Sequence, residues 1–69
     1  MGTISKALGL LDHFSTQRPA IGLSDFRKLS GQDKATVHRY LSELLSIGYL
    51  EQDATTRQYR IGPAFLRLS

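Results

Sequence analysis

The chain has no cysteine among its 69 residues, so neither disulfides nor thiolate-bound metals hold it together. A chain this short buries only roughly 60% of the surface that its unfolded form exposes. Hydrophobic residues make up 41% of the sequence, enough for one small core. We therefore expect one domain over residues 1–69, held by packing alone. Such a domain has no room for a deep cleft between two lobes, so any activity must lie on its surface.

No segment has the pattern of a signal peptide or a membrane span. The longest uncharged apolar stretch near the start, residues 7–11, is far shorter than the roughly 20 residues that a membrane helix needs. Together with the lack of cysteine, this predicts a cytoplasmic protein without a membrane partner.

Charge is unevenly distributed along the chain, whose formal net charge is +3. Residues 1–26 have net charge 0, residues 27–42 have +3, residues 43–53 have −3 and residues 54–69 have +3. If the fold brings the two basic segments onto one face, they form a patch suited to a polyanion. The alternative is an ordinary solvated surface.

Apolar spacing predicts a first helix near the start of the chain. Thr3 is placed to cap it, and Leu10 lies off the main stripe, where we expect a partly covered edge residue. The predicted inner face consists of Ile4, Ala7, Leu8, Leu11 and Phe14.

Two further helices are predicted around a glycine turn. Ser24 is placed to cap a short helix, and Gly31 follows it where a left-handed turn needs a residue without a Cβ. Asp33 then caps a longer helix that runs from Lys34 to about Ile47. Its predicted buried stripe is Val37, Leu41, Leu44 and Leu45, with Tyr40 and Ile47 at the flank.

The opposite face of this longer helix is built of short side chains and one arginine, namely Ala35, Arg39, Ser42 and Ser46. A helix that is only solvated more often has Glu and Lys there, since they are better helix formers than Ser. Small residues let the surface of a helix approach another molecule closely.

The rest of the chain alternates in polarity and predicts two strands, residues 49–52 and 58–61, joined by a turn over residues 53–57. Leu50 and Ile61 are expected on the inner face. Helix, short helix, turn, longer helix and hairpin is the order of a winged helix-turn-helix, a mainly α fold with a small β-hairpin. We expect the helix-turn-helix at about residues 23–47 and the wing at about residues 49–62.

In such a unit the second helix of the pair enters the major groove of DNA. The sequence thus predicts specific binding of double-stranded DNA, with helix 34–47 in the major groove and wing residues 53–58 on adjacent backbone or minor groove. Arg39 is the candidate for a bidentate contact to guanine, or else for a phosphate contact. Ala35 shares its face and suits a thymine methyl, although it is equally a plain helix former.

The remaining candidates are polar or basic residues near this surface. His38 either donates to a phosphate or is a half-buried histidine, and Arg27 either touches the backbone or is solvated. Arg57 at the wing tip is expected on DNA. The other predicted contacts are Lys34, Thr36, Ser42, Thr55 and Gln58, whereas Tyr59 and Arg60 are expected to support the hairpin.

Residues 34–41 (KATVHRYL) and 59–63 (YRIGP), at this separation, resemble the N-terminal DNA-binding domain of the IclR family of bacterial transcriptional regulators. The resemblance implies a repressor or activator that binds operator DNA as a homodimer. It also implies a small-molecule effector, bound only through a C-terminal domain that this fragment lacks. Gln32 stands where the family usually has an apolar residue, and Thr56 where a glycine is common, which puts the conformation of the wing tip in question.

Nothing in the sequence indicates an enzyme, a metal site or a cofactor. The chain has two histidines, no carboxylates at metal-ligand spacing and no glycine-rich phosphate loop. The alternative function is a winged-helix dimerisation or protein-docking module that does not bind DNA. Such a module is expected to present apolar or acidic residues on the third helix.

Overall fold

The computed structural model describes residues 2–68. Met1 and Ser69, the ends of the expected domain, lie outside the described residues. Within residues 2–68 the chain forms helices, a short 3₁₀ turn over Leu10–His13 and one two-stranded antiparallel sheet. The elements are α1 (Thr3–Gly9), α2 (Leu23–Ser30), α3 (Lys34–Ser46), β1 (Leu50–Gln52), β2 (Tyr59–Ile61) and α4 (Pro63–Leu66).

The first helix differs in two ways from its prediction. Thr3 is the first helical residue rather than the cap, and Gly2 occupies the cap position without a side-chain hydrogen bond. Leu10 is buried, with 2% of its surface exposed, whereas Ile4 and Leu8 are 75% and 40% exposed. Ala7 and Leu11 are buried, as predicted, but Leu10 and not Ile4 or Leu8 lies beside them in the core, because helical spacing alone does not fix which side of the stripe is covered.

The helix-turn-helix begins at Leu23, as predicted, but the cap of its first helix lies two residues earlier than predicted. Gly22 is the cap of α2 and makes no side-chain hydrogen bond, so the prediction of Ser24 as the cap is wrong. Leu23 lies in the first turn because its side chain packs against the core. The glycine turn is as predicted, since Gly31 has φ 72° and lies in the left-handed region.

The longer helix α3 starts and ends close to the predicted residues. Asp33 caps it, as predicted, and accepts a hydrogen bond from the backbone N–H of Thr36. The buried residues are Val37, Tyr40, Leu41 and Leu44. Tyr40 is therefore central rather than at the flank, whereas Leu45 is only partly buried and Ile47 is exposed.

The wing is the predicted hairpin, with Leu50 and Ile61 on the same face of the sheet. Leu50 pairs with Ile61 and Gln52 with Tyr59, so these four side chains share one face of the sheet. Ile21 extends the pairing, because its N–H donates to the carbonyl of Tyr59 at 3.0 Å and its carbonyl accepts from Tyr59 at 2.8 Å. The segment that precedes α2 is thereby fixed to the wing.

Phe26 joins the parts of the fold. Its side chain has no exposed surface, and its ring meets Phe14 edge-on at 5.7 Å and Tyr59 at 6.0 Å between centroids. One α2 side chain therefore packs against the segment after α1 and against β2. Edge-to-face aromatic pairs of this kind add stabilisation beyond the buried area.

Replacing Phe26 by Ala is expected to lower the free energy of unfolding by about 3–5 kcal/mol, because it leaves a cavity where three segments meet. A domain of this size has roughly 0.05–0.15 kcal/mol of stability per residue, so about a third of it or more would be lost. Leu29→Ala on the same helix is the control, since Leu29 is 37% exposed. Urea unfolding followed by circular dichroism measures both variants, and equal losses would contradict this account of the core.

Candidate nucleic-acid interface

The exposed face of α3 is the surface that the sequence predicted. Ala35, Arg39 and Ser42 are all exposed there, at helical spacing on one side of the helix. The guanidinium of Arg39 lies 5.3 Å from the centroid of the Tyr40 ring, a cation–π contact. Because Tyr40 is buried and Arg39 is exposed, this contact holds the guanidinium beside the edge of the core, at the surface of α3.

The N-terminus of α3 is fixed by a two-point cap. The Asp33 carboxylate accepts from the Thr36 hydroxyl at 2.6 Å and from the Thr36 backbone N–H at 3.4 Å. These two hydrogen bonds, the hydroxyl first, hold the pKa of Asp33 below its ordinary value of 3.8. The Thr36 hydroxyl donates its proton to the cap. Toward DNA, this hydroxyl can therefore only accept a hydrogen bond. The role of Thr36 in binding remains a prediction.

A second aspartate organises the wing tip. One Asp53 carboxylate oxygen accepts from the backbone N–H groups of Thr55 and Thr56, each at 2.8 Å. These bonds, with a smaller contribution from Arg60, lower the pKa of Asp53 from 3.8. The side-chain amide of Gln52 donates to the carbonyl of Arg57 at 2.9 Å and closes the turn from the other side.

Arg57 itself adopts the left-handed conformation of this turn, with φ 66°. The positive φ that would make a glycine necessary therefore falls on Arg57 and not on Thr56. Thr56 instead accepts a hydrogen bond at its hydroxyl from the Gln58 N–H, at 3.2 Å. The question raised by a branched residue at position 56 is resolved, and the tip presents an exposed arginine.

The hairpin acids are paired within the hairpin. Arg60 lies opposite Glu51 in the sheet register, with its Nε 3.8 Å from Glu51 and its Nη1 3.5 Å from Asp53. The predicted support role of Arg60 is confirmed. Within residues 2–68, Arg60 is the cation of both ion pairs, so Lys34, Arg39 and Arg57 remain available to an outside anion.

A groove of about 370 Å³ joins the helix-turn-helix to the wing. Lys34 and His38 of α3 line one side, and Arg57 at the wing tip lines the other. We call this the basic groove. A smaller depression of about 260 Å³ places Arg27 of α2 beside Lys34. The fold thus brings cations of the two basic segments of the sequence to one surface.

The other predicted contacts lie around this surface. Ala35, Arg39 and Ser42 face outward from α3, Thr55 is exposed at the wing tip, and the Gln58 side chain lies beside Gly22 at the start of α2. The sequence prediction missed Gln52 and Ser24, which also line the basic groove. Alternation along β1 places Gln52 on the face of Leu50 and could have indicated it, but nothing in the sequence marked Ser24 as a groove residue.

The profile of the IclR helix-turn-helix domain matches residues 3–54. The chain belongs to the IclR helix-turn-helix family. This family and its relatives make the chain a DNA-binding domain of transcriptional-regulator type, as the resemblance predicted.

Named regulators and solved structures agree on the family. The chain is 35% identical over 60 residues to the HTH-type transcriptional regulator XynR of Escherichia coli K12, covering 87% of this chain and 24% of that protein. It is 38% identical over 64 residues to the HTH-type transcriptional regulator KipR of Bacillus subtilis 168, covering 93% of this chain and 25% of that protein. The IclR domain described here thus spans about a quarter of the length of these relatives.

The same fold is seen in a crystal structure of an IclR transcriptional regulator from Silicibacter sp. TM1040. The TM-score is 0.93 at 55% identity, over 97% of this chain and 26% of that chain. A crystal structure of an IclR family regulator from Brucella abortus gives a TM-score of 0.91 at 30% identity, over 97% of this chain and 26% of that chain. The mainly α winged helix-turn-helix fold is thereby confirmed.

Two further features concern the described residues as a whole. None of the helices within residues 2–68 has the length and apolar character that a membrane crossing requires. Over the same residues, no three histidine, aspartate or glutamate side chains lie together as metal ligands would.

Acid is expected to destabilise the α3 cap and the wing-tip turn, because Asp33 and Asp53 hold these two structures as carboxylates. Each carboxyl has a pKa below 3.8 in the folded chain, so its stabilising contribution is complete above the unfolded value and is lost as pH falls through the folded value. A ¹³C-detected NMR titration should therefore give midpoints below 3.8 for both carboxyls.

Asp33→Asn is the matched variant for this titration. Asparagine caps helices about as well as aspartate but does not titrate, so the cap should persist with a smaller loss of stability in acid. A midpoint for Asp33 at or above that of the same carboxyl in the urea-unfolded chain would contradict the cap described here.

Proposed function

We propose that this chain binds operator DNA in duplex form, with the exposed face of α3 in the major groove and the wing tip on the adjacent backbone or minor groove. The observation that carries the proposal is the shared surface of α3 and the wing. There, cations from two distant basic segments that form no ion pair line a groove beside a helix that exposes short side chains. Short side chains permit close approach to base edges, and unpaired cations attract phosphates.

The proposal assigns a role to each predicted contact. Arg39 is proposed to read a base edge at the centre of the α3 face, with Ala35 and Ser42 one turn to either side. Lys34, His38 and Arg57 are proposed to hold phosphates, together with Arg27 on α2. Thr36, Thr55 and Gln58 complete the proposed contact set at the edges of this surface.

The docking-module alternative gains no support from α3. Within the described residues, the face of α3 around Arg39 exposes mainly short side chains, and its one acidic side chain, Glu43, lies toward the C-terminal end of the helix. We propose a DNA-binding domain and not an enzyme.

The whole protein is proposed to be longer and to act as a homodimer in the cytoplasm. The relatives are about four times as long as the matched region, which leaves room for an effector-binding domain C-terminal to it. A dimer would place two α3 helices on two half-sites about one helical turn of DNA apart, roughly 34–36 Å. Whether the regulator activates or represses depends on the position of its operator.

The proposal predicts salt-dependent DNA binding that depends on two particular arginines. Fluorescence anisotropy with random-sequence duplex DNA should show affinity falling steeply with salt. Each lost phosphate contact should flatten the slope of log K against log salt by roughly 0.9. We expect this flattening for Arg57→Asn, since Asn tolerates the left-handed backbone of residue 57. Arg39→Ala should reduce affinity for an operator sequence, selected from a random pool by its binding to the wild-type chain, more than for random DNA.

Arg67→Ala is the charge-matched control, because it removes one positive charge from α4's end of the domain. It should leave the slope nearly unchanged. Arg39→Lys separates base reading from charge, since lysine keeps the charge but loses the bidentate geometry. Equal effects of Arg57→Asn and Arg67→Ala, or an unchanged sequence preference in Arg39→Lys, would contradict these roles.

A further inference from the structure

The basic groove has a composition that singles out one class of ligand. Lys34 and His38 stand one helical turn apart on α3, and Arg57 faces them from the wing. The groove also contains the hydroxyls of Ser24 and Thr56. Ammonium, guanidinium, imidazole and hydroxyl groups all donate hydrogen bonds, so the groove is a cluster of donors around a space for an acceptor.

No carboxylate lines the basic groove within the described residues. The groups that face His38 are Lys34 on its own helix, Arg57 on the wing and the phenol of Tyr59 on β2. The carboxylates adjacent in sequence to groove residues lie elsewhere: Glu51 is beside Arg60, and Asp25 lines a separate depression with Arg18 and Lys28. Asp33 is bonded to Thr36, and Asp53 is bonded to the wing-tip N–H groups and lies beside Arg60. The charge of the groove is therefore not neutralised from within.

We propose that the basic groove seats one phosphodiester group of the DNA backbone between α3 and the wing, and that His38 holds it as an imidazolium. DNA binding is then coupled to partial uptake of a proton near neutral pH. This inference rests on the proposed function and extends it, because it makes operator affinity depend on pH near neutrality.

The chemistry of the three cationic groups gives the direction of the effect. Lysine and arginine stay charged throughout the neutral range, whereas histidine has an ordinary pKa of about 6.5. A phosphate beside an imidazole favours its protonated form. The attraction from Lys34 and Arg57 is thus constant with pH. An attraction that depends on an imidazolium is strongest in mild acid and weakens as pH rises, which sets the direction of the proposed effect.

The experiment compares the two histidines of the chain. Anisotropy titrations with a fixed duplex at low salt, at about pH 6 and about pH 8, should show wild-type affinity falling roughly fivefold over this range, the change expected when binding favours the protonated form about tenfold. His38→Gln keeps a donor that does not titrate, so its affinity should change less than twofold. His13→Gln should behave as wild type, because His13 is half-buried beside Phe26 and lines no part of the groove.

The outcomes distinguish failure of the proposed phosphate site from failure of the proposed function. The phosphate site would be overturned, with DNA binding intact, by either of two results. Wild-type affinity could be equal at both pH values, or the His38→Gln variant could keep the full pH dependence. Absence of duplex binding at either pH, with a folded chain by circular dichroism, would instead overturn the proposed function and the seat with it.

A second arm distinguishes DNA phosphate from free phosphate. The imidazole resonances of His38 are followed by NMR while duplex DNA or inorganic phosphate is added at equal phosphate concentration. The expected result is a shift with duplex at concentrations where inorganic phosphate has little effect. Equal shifts from both would show a site for free phosphate and would overturn the DNA seat.

Discussion

The packing of Phe26 determines where everything on the candidate interface lies. This α2 side chain is enclosed by Phe14 and by Tyr59, and Tyr59 is itself bonded through its backbone to Ile21. The wing therefore cannot move relative to the helix-turn-helix without breaking aromatic contacts and two backbone hydrogen bonds. Because Lys34 belongs to α3 and Arg57 to the wing, the shape of the basic groove depends on this junction.

The electrostatics of the surface follow from a division among its charged groups. Asp33 accepts hydrogen bonds in a helix cap and Asp53 in a turn, and Arg60 pairs with the acids of the hairpin. These internal bonds fix the backbone that carries the remaining cations. Lys34, Arg39 and Arg57 are left at the surface on backbone that is already ordered, which lowers the entropy that binding would cost.

Much of this could be predicted from local chemistry. Asp33 as a cap, Gly31 as a left-handed turn and the alternation of the hairpin each have a cause within a few residues, and the structure confirms them. The errors arose where distant packing decides. Ser24 is a better cap than Gly22 by local preference, but Leu23 must enter the helix to reach the core.

The same holds for the first helix and for the site. Periodicity alone could not decide whether Ile4 and Leu8 or Leu10 would lie beside Ala7 in the core. That choice depends on which side of the helix the other elements cover. The basic groove combines residues from α2, α3 and the wing. Its individual cations could be named from the sequence, but their convergence depends on tertiary structure. The left-handed backbone of Arg57 is likewise set by the hydrogen bonds of Asp53 and Gln52.

The central claim is that α3 and the wing tip form one DNA-binding face. The most direct test is an amide NMR titration of this chain with duplex DNA at low salt. We predict that the largest shift changes fall on residues 34–42 and 55–58, with little change in α1 and α4. Changes concentrated in α1 and α4, with residues 34–42 unaffected, would contradict the account.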